Sequence, residues 1–412
     1  MHRGVLQWQV QTQFARLRPP RKFWGELEPS VNRVCRPIVG THGQLCRYSM
    51  STSFIIDCDV HPVIHDAGEF SKHLPKFFRE TSYSLSGGFG FGNPHGVQRR
   101  DIEIRHVPGA KDWFDVFRIK LLEELNIGVA VLNHTNGYAA GVHPNPDFAV
   151  AYCRAINEYM VEHWLSADPR YTAAIMVAPQ DPSAAAAEIR RAARDPRFVA
   201  VSLTSATPDA LGNRRYWPIY EAACECNLPV SVHPGYEGTG MSRPFASGYA
   251  ETYLEWHTCL SSVYMTQAIS LVTRGVFTTF PALKFVMLEG GVAWLPHVLW
   301  RLDKNWKALR VMAPFLKEPP SHYILNQLRL STQPIEEPPR DQQILQIFDM
   351  IEAKRTLMFS SDFPHWDNDD PRHSMPKLDP VLSERIFSGN ALETYPRIAA
   401  LYATAPQEVS VA

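Results

Sequence analysis

The sequence lacks the features that mark secreted, membrane-spanning and nucleic-acid-binding proteins. Its seven cysteines include no C-x-x-C pair and form no even framework, which argues against a zinc knuckle and a disulfide scaffold. No apolar run approaches the roughly 20 residues that a spanning helix needs, and the start does not resemble a signal peptide. Since 41 basic residues balance 42 acidic residues, no net field recruits nucleic acid or an anionic membrane. We therefore expect a cytoplasmic protein whose partners are small molecules or other proteins.

The N-terminal segment, residues 1–49, differs from the rest of the chain. It holds eight arginine and lysine residues against two glutamates and shows no sustained helix or strand period. This composition is typical of a disordered basic extension. A second interpretation is that Met50, which directly precedes the first apolar segment, is the true start. In both cases residues 50–412 are expected to form a single domain.

After Met50 the chain alternates between short apolar runs and amphipathic segments whose apolar residues recur at intervals of three and four. The predicted strands are 54–60, 128–134, 172–179, 198–204, 229–235, 284–291 and 356–364, and 328–333 could be one further strand. Seven or eight such units over about 350 residues match a (β/α)8 barrel. The glycine-rich loops GxGxxG and GxxxxGK, which would favour a doubly wound sheet, are missing. The sequence therefore predicts an α/β protein with a TIM-like (β/α)8 barrel.

Polar side chains interrupt several of these apolar runs at the same end. Asp57, Asp59 and His61 follow the first run at alternate positions, and alternation in a strand would place these three on one face and turn Cys58 away. Three further predicted strands end in polar residues: His233, Glu289 and Asp362. The chemistry of such a barrel lies at the C-terminal ends of its strands, where buried, unpartnered carboxylates and imidazoles would be costly. The set therefore suggests a bound cation.

These residues resemble the amidohydrolase superfamily, and within it the amidohydrolase-related branch that includes aminocarboxymuconate-semialdehyde decarboxylase and related aromatic-acid decarboxylases and hydrolases. The likeness extends over roughly residues 53–395. The family pattern is an HxH pair after strand one, single histidines after strands five and six, and an aspartate after strand eight. The resemblance implies a divalent metal held by the four residues that match this pattern: Asp59, His61, His233 and Asp362.

Two positions depart from the family pattern. Asp59 stands in place of the first histidine of the HxH pair, and Glu289 stands where many relatives have a histidine before two glycines. The site would then offer two imidazoles and two or three carboxylates, which suits Zn²⁺, Mn²⁺ or Fe²⁺. The extra oxygen ligands favour Mn or Fe, and Glu289 could bridge to a second metal.

The resemblance also implies roles in catalysis. Asp362 is the expected proton acceptor beside a metal-bound water. Glu289, in a partly dry site, could act as general acid or base, with a structural salt bridge as the alternative. Asp57 could bind a second metal, hydrogen-bond a ligand histidine or cap the end of the strand, and we favour the hydrogen-bonding role.

Three more residues are candidates for contact with a substrate. His134 and His365 lie at predicted strand ends, with the ordering of a loop as the alternative role for each. Arg243 lies in the long loop after the strand that carries His233 and could bind a carboxylate.

The expected activity is hydrolysis of a small organic acid, amide or lactone by a metal-activated water. The first alternative is non-oxidative decarboxylation of a small aromatic or unsaturated acid, with Glu289 as the acid that protonates the carbon losing CO₂. A further alternative is a dinuclear Mn/Fe oxygenase component, or an inactive partner subunit of such an assembly. The resemblance implies a homodimer or a hetero-oligomer with a homologous chain.

Overall fold

Eight parallel strands form one sheet in the described part of the chain, and each strand pairs with the next. The computed structural model describes residues 54–81, 83–85, 93 and 96–404, so the prediction for residues 1–49 lies outside the described residues. The strands are β1 Ile55–Val60, β2 Ile127–Leu132, β3 Tyr171–Met176, β4 Phe198–Thr204, β5 Val230–His233, β6 Phe285–Met287, β7 Leu328–Ser331 and β8 Leu357–Met358. The segment after β8 returns to β1, where the amide of His61 donates to the carbonyl of Phe363 at 2.7 Å. The predicted (β/α)8 barrel is confirmed, and the uncertain segment 328–333 supplies its seventh strand.

Helices connect the strands and surround the sheet in the described part of the chain. The α-helices are α1 Ala67–Lys72, α2 Lys76–Glu80, α3 Trp113–Phe117, α4 Thr135–Gly141, α5 Pro146–Tyr159, α6 Leu165–Ala167, α7 Pro182–Ala192, α8 Trp217–Glu225, α9 Tyr253–Thr273, α10 Val276–Thr279, α11 Leu295–Leu309, α12 Pro320–Gln327, α13 Asp341–Met350, α14 Ala353–Thr356, α15 Pro380–Glu384, α16 Asn390–Thr394 and α17 Pro396–Thr404. Helix α5 continues into a π-helical turn, Met160–Trp164. None of the described helices combines the length and the apolar character needed to cross a membrane.

Local sequence signals explain where the main helices begin. Asn145 caps α5 by accepting a hydrogen bond from the amide of Phe148, and Asp181 caps α7 by accepting from the amides of Ser183 and Ala184. Both caps are followed by proline at the first helical position, where a missing amide hydrogen is tolerated. Each helix therefore starts at the point that lets its apolar face pack on the sheet.

One apolar layer lies between the strands and the helices, and a second lies inside the barrel. The outer layer joins alternate strand residues such as Val230 and Val232 to the surrounding helices. The inner layer consists of side chains from β1, β2, β3, β4, β6 and β8 together with Tyr395 and Ile398 from the C-terminal helices. Cys58 supplies no thiolate to the candidate metal site, as expected, although it packs in this inner layer and does not turn away from the barrel interior. The cause is a register irregularity in β1 between Asp57 and Val60, which breaks simple alternation.

Several strands end earlier than predicted, because the chain leaves the sheet before its polar residues. β6 ends at Met287 and β8 at Met358, so Glu289 and Asp362 lie in the loops that follow. Glu289 has φ 53° and Asp362 has φ 61°, in the left-handed region that does not continue a strand. The backbone therefore turns at the two carboxylates, which lie in the loops and reach the same buried cluster.

Candidate metal centre

Five buried side chains converge at the C-terminal end of the barrel. One ligand atom from each lies within 4.8 Å of the others, and the five residues are Asp59, His61, His233, Glu289 and Asp362. Asp59 lies in β1, His61 directly follows β1, His233 ends β5, and the loops after β6 and β8 supply Glu289 and Asp362. The structure thus brings together the four predicted ligands and Glu289, although they are separated by up to about three hundred residues in sequence.

The imidazoles and carboxylates of this cluster lie close together. Nε2 of His61 lies 2.8 Å from Oδ1 of Asp362, 3.5 Å from Oδ1 of Asp59 and 3.2 Å from Nε2 of His233. Nε2 of His233 lies 3.4 Å from Oε1 of Glu289. Oδ2 of Asp59 is buried without a hydrogen bond, and Oδ1 of Asp362 has two imidazole nitrogens within 2.8 Å. Buried carboxylate oxygens in this state require a cation or a proton.

Backbone carbonyls fix the orientation of both imidazoles. Nδ1 of His61 lies 2.8 Å from the carbonyl oxygen of Asn133, and Nδ1 of His233 lies 2.5 Å from that of Pro234. A carbonyl can only accept, so both Nδ1 atoms carry the hydrogen and Nε2 of each ring is left for the cluster. Two Nε2 atoms only 3.2 Å apart cannot both be protonated. This arrangement is the one that histidine ligands of metals adopt, and the donors present fit a divalent ion.

The electrostatics of the cluster indicate the same need for a positive charge. Burial raises the pKa of Asp59 to about 8 and holds the pKa of Asp362 well above its usual range. Burial lowers the pKa of His61. Burial also acts to lower the pKa of His233, but Glu289 and Asp59 outweigh it and raise the value to about 9. A proton at His233 meets this need in the free protein, and a bound cation would meet it while keeping the carboxylates ionised.

Asp57 does not join the five, which corrects the expectation that it shares a face with Asp59 and His61. Its Oδ1 accepts from the amide of Asp59 at 3.2 Å and from the amide of Ser361 at 2.9 Å, and its Oδ2 accepts from the hydroxyl of Ser361 at 2.5 Å. Burial raises the pKa of Asp57 to about 7. Asp57 therefore ties the backbone of β1 to the loop that carries Asp362, a supporting position.

The three candidates for substrate contact lie in different surroundings. His365 lies at the cluster: its Nδ1 is 2.7 Å from Oδ1 of Asp362, and its ring stacks on His61 with centroids 4.2 Å apart. His134 caps α4, with Nδ1 accepting from the amide of Asn136, so the contact that the structure gives it is the loop-ordering one. Arg243 has a 79% exposed side chain and donates from Nε to the carbonyl of Pro208. Arg243 thus contacts a neighbouring loop and none of the five clustered side chains.

Sequence reasoning missed two residues that hold the cluster in place. The side-chain amide of Asn133 donates to Oδ1 of Asp59 at 3.0 Å. The ring of Tyr138 stacks on His233 with centroids 4.3 Å apart and planes 3° from parallel, and its hydroxyl lies 2.9 Å from the hydroxyl of Ser202. Asn133 ends the second apolar run, a signal of the kind that identified the other residues, but nothing in the sequence marks Tyr138.

Comparisons with known proteins agree with the fold. A model of the amidohydrolase family matches residues 56–397. A gamma-resorcylate decarboxylase from a Polaromonas species is 26% identical over 194 residues, which is 45% of this chain and 58% of that protein. A gamma-resorcylate decarboxylase from Rhodococcus jostii is 25% identical over 268 residues, 60% of this chain and 76% of that protein. The chain thus spans less than two thirds of the first of these relatives.

The solved structures that resemble this barrel include one with a metal. A dihydroxybenzoic acid decarboxylase from Polaromonas, with bound manganese and the inhibitor 2-nitroresorcinol, superimposes with a TM-score of 0.58 at 19% identity. The match covers 84% of this chain and 97% of that one. At this identity the likeness establishes the fold, and the manganese is a property of the relative.

Proposed function

The chain belongs to the amidohydrolase family, and from that premise we propose that it is a metal-dependent decarboxylase of a small aromatic carboxylic acid. The observation that carries the proposal is the cluster of two imidazoles and three carboxylates, buried at the C-terminal end of the barrel. The curated relatives reported above are decarboxylases, which favours the decarboxylase alternative over the hydrolase expected first.

The cluster is suited to hold one divalent ion. Asp59, His61, His233 and Asp362 are the proposed ligands, and Glu289 is placed to act as a fifth. Three carboxylates against two imidazoles favour Mn²⁺ or Fe²⁺ over Zn²⁺, and the manganese in the Polaromonas structure supports Mn²⁺. When bound, the ion would anchor and polarise the oxygen atoms of an acidic substrate.

The residues of the chain would then supply the proton. Loss of CO₂ from an aromatic ring requires a proton on the carbon that carries the carboxylate, and an acid beside the anchored substrate can deliver it. Burial, with the negative charges of Glu289 and Asp367, raises the pKa of Asp362 in the free protein, and a bound ion would lower it, so in the loaded protein Asp362 would relay a proton to the substrate carbon rather than hold one. His365 Nδ1, 2.7 Å from Oδ1 of Asp362, is placed to return a proton after each turnover. We assign proton transfer to Asp362. Burial acts to raise the pKa of Glu289, but His233 outweighs it and holds the value well below the usual range, so Glu289 is ionised and suits a ligand role, which corrects its expected role as the acid.

The test is turnover of a panel of acids by manganese-loaded protein. The panel contains 2,6-dihydroxybenzoate, 5-carboxyvanillate, benzoate, and an aryl ester and a lactone as hydrolase substrates, with CO₂ release and product formation measured together. We expect CO₂ from at least one hydroxylated benzoate and no ester or lactone cleavage. Asp362→Asn should lower kcat by at least about 10²–10⁴, the usual contribution of a general acid, because it removes the proton carrier together with a proposed metal ligand. Asp349→Asn, an exposed aspartate on α13, is the matched control and should keep full activity.

Other results would change the assignment. Cleavage of the ester or lactone without CO₂ release would restore the hydrolase. Two iron equivalents with oxygen consumption would favour the oxygenase component, and stoichiometric metal without turnover of any compound would favour the partner subunit. The expected homodimer or hetero-oligomer stays a prediction, which light scattering on the purified chain would test.

A further inference from the structure

A second group of metal-binding side chains lies in the helical layer outside the barrel. His73 ends α1, and Glu162 and His163 lie in the π-helical turn that continues α5. One ligand atom from each of the three lies within 4.8 Å of the others. We propose that His73, Glu162 and His163 bind a divalent transition-metal ion, with Zn²⁺ as the ion best suited to them. This proposal does not depend on the proposed decarboxylase activity.

The distances in the group suit an ion of this size. Nε2 of His73 lies 3.5 Å from Oε2 of Glu162, and Nε2 of His163 lies 3.9 Å from Oε1 of the same carboxylate. Two ligands that each bind tetrahedral Zn²⁺ at 2.0–2.2 Å are separated by about 3.3–3.6 Å. Small rotations of the Glu162 side chain, which is 61% exposed, would bring both pairs to that separation. Two imidazoles and one carboxylate form a ligand set that Zn²⁺ binds with water completing its shell.

One nitrogen in the group lacks a partner. Nε2 of His163 is buried and makes no hydrogen bond within the described part of the chain. Its ring is held against Tyr159, with centroids 4.3 Å apart and planes at 31°. A buried ring nitrogen normally has a partner, and this one is fixed beside the carboxylate that also approaches His73. A metal ion would satisfy it without rearrangement of the ring.

The neighbouring charges leave Glu162 available. Glu158, whose Oε2 lies 3.8 Å from Nδ1 of His73, is already paired with Nε of Arg154 at 3.0 Å and approached by Arg191 at 3.5 Å. Its negative charge favours a proton on Nδ1 of His73, which leaves Nε2 free to face Glu162. Glu162 has ion-pair contacts only with the two histidines in the described part of the chain.

The surroundings of the outer site leave it open to solvent and place it beside the connection that follows β1. A cavity of about 470 Å³, lined by His73, Glu158, Glu162 and Arg191 among others, opens beside the group and has room for water ligands. The ion would join α1, which follows the strand carrying the proposed active-site ligands, to the end of α5. A hydrogen bond of 2.9 Å from the amide of His65 to the hydroxyl of Tyr159 already joins the same two segments. The ion should therefore stabilise the connection that follows β1.

A second metal site changes how the metal content of the purified protein is interpreted. A second equivalent of metal in the purified protein would not by itself indicate a dinuclear active centre, because the outer site would account for it. The two sites also differ in chemistry: the barrel site has three carboxylates, whereas the outer site has mainly imidazole nitrogen. Zn²⁺ should fill both sites, and Mn²⁺ should prefer the barrel site.

The test is a zinc titration of tag-free, metal-free full-length protein by calorimetry, with bound zinc counted by mass spectrometry. Wild type should bind two equivalents. His73→Gln and His163→Gln should each bind one and keep the wild-type fold by circular dichroism. His297→Gln, an exposed histidine on α11, is the matched control and should bind two. Asp59→Asn with His61→Gln should lose the barrel equivalent and keep the outer one, seen as a zinc-dependent rise in Tm that disappears when His73→Gln is added.

Three results would overturn the proposal. They are a second equivalent that persists in both His73→Gln and His163→Gln, a second equivalent lost equally in His297→Gln, and wild type that binds no zinc outside the barrel cluster. Failure of the barrel site would be distinct, because it would remove the equivalent that depends on Asp59 and leave the one that depends on His73.

Discussion

Removal of the side chain of Asn133 should weaken metal binding without changing any proposed ligand. In Asn133→Ala, Asp59 Oδ1 loses the 3.0 Å hydrogen bond from the amide, while the backbone carbonyl that receives Nδ1–H of His61 is retained. A hydrogen bond to a charged group contributes about 1.5–3 kcal/mol. If that stabilisation holds Asp59 in its ligand position, its loss corresponds to a reduction in metal affinity of roughly 10- to 150-fold. This range overlaps the effect usual for residues that orient a ligand.

The assay is competition for Mn²⁺ between the protein and a chelator of known affinity. Asn390→Ala is the matched control: it is also fully buried, and its amide donates to the carbonyls of Ala353 and Leu357 at the opposite end of β8. Both variants should lower Tm, but only Asn133→Ala should weaken Mn²⁺ binding. Equal Mn²⁺ affinity in wild type and Asn133→Ala, with a lowered Tm, would refute the claim that Asn133 orients a metal ligand.

Substitutions at two further positions test the proton-return role of His365 and the positioning role of Tyr138. His365→Asn should keep one Mn²⁺ equivalent and lower kcat by about 10- to 100-fold, because it removes the group 2.7 Å from Asp362 Oδ1 without removing a proposed ligand. Full activity, or loss of the metal, would count against the proton-return role. Tyr138→Phe should cost about 1 kcal/mol of unfolding free energy, because the contact with Ser202 is lost, and should leave Mn²⁺ affinity unchanged. Tyr138→Ala should weaken Mn²⁺ binding, because the ring stacked on His233 is lost. Equal Mn²⁺ affinities in the two variants would show that the stacking does not position the ligand.

Much of the fold could be predicted from the sequence because the strands are buried on both faces. Each therefore reads as a short apolar run, and the runs alternate with amphipathic helices. The weakest signal was Leu328–Ser331, since its buried Arg329 interrupts the apolar pattern, yet this segment forms β7. Strand ends were less predictable, because the left-handed backbone at Glu289 and Asp362 leaves no local mark in the residue types around it.

Only part of the candidate site, like part of the fold, could be predicted from the sequence. The five clustered residues could be identified from the sequence, since each is a polar group directly after an apolar run and parallel strands bring such ends together. The position of Asp57 outside the cluster could not be predicted, because it follows from the irregular register of β1 against β2. Tyr138 could not either, since its contact with His233 joins residues that are distant in sequence and depends on how α4 packs over β5.

We propose that the buried cluster holds one metal ion and that the protein needs this ion to release CO₂ from an aromatic acid. This proposal is tested most directly by Mn²⁺ titration of metal-free protein with the best hydroxylated benzoate of the panel as substrate. We expect no CO₂ release without metal, a linear rise of activity to one equivalent and no further rise, and the loss of this response in Asp59→Asn. CO₂ release by the metal-free protein, or an unaltered response in Asp59→Asn, would contradict it.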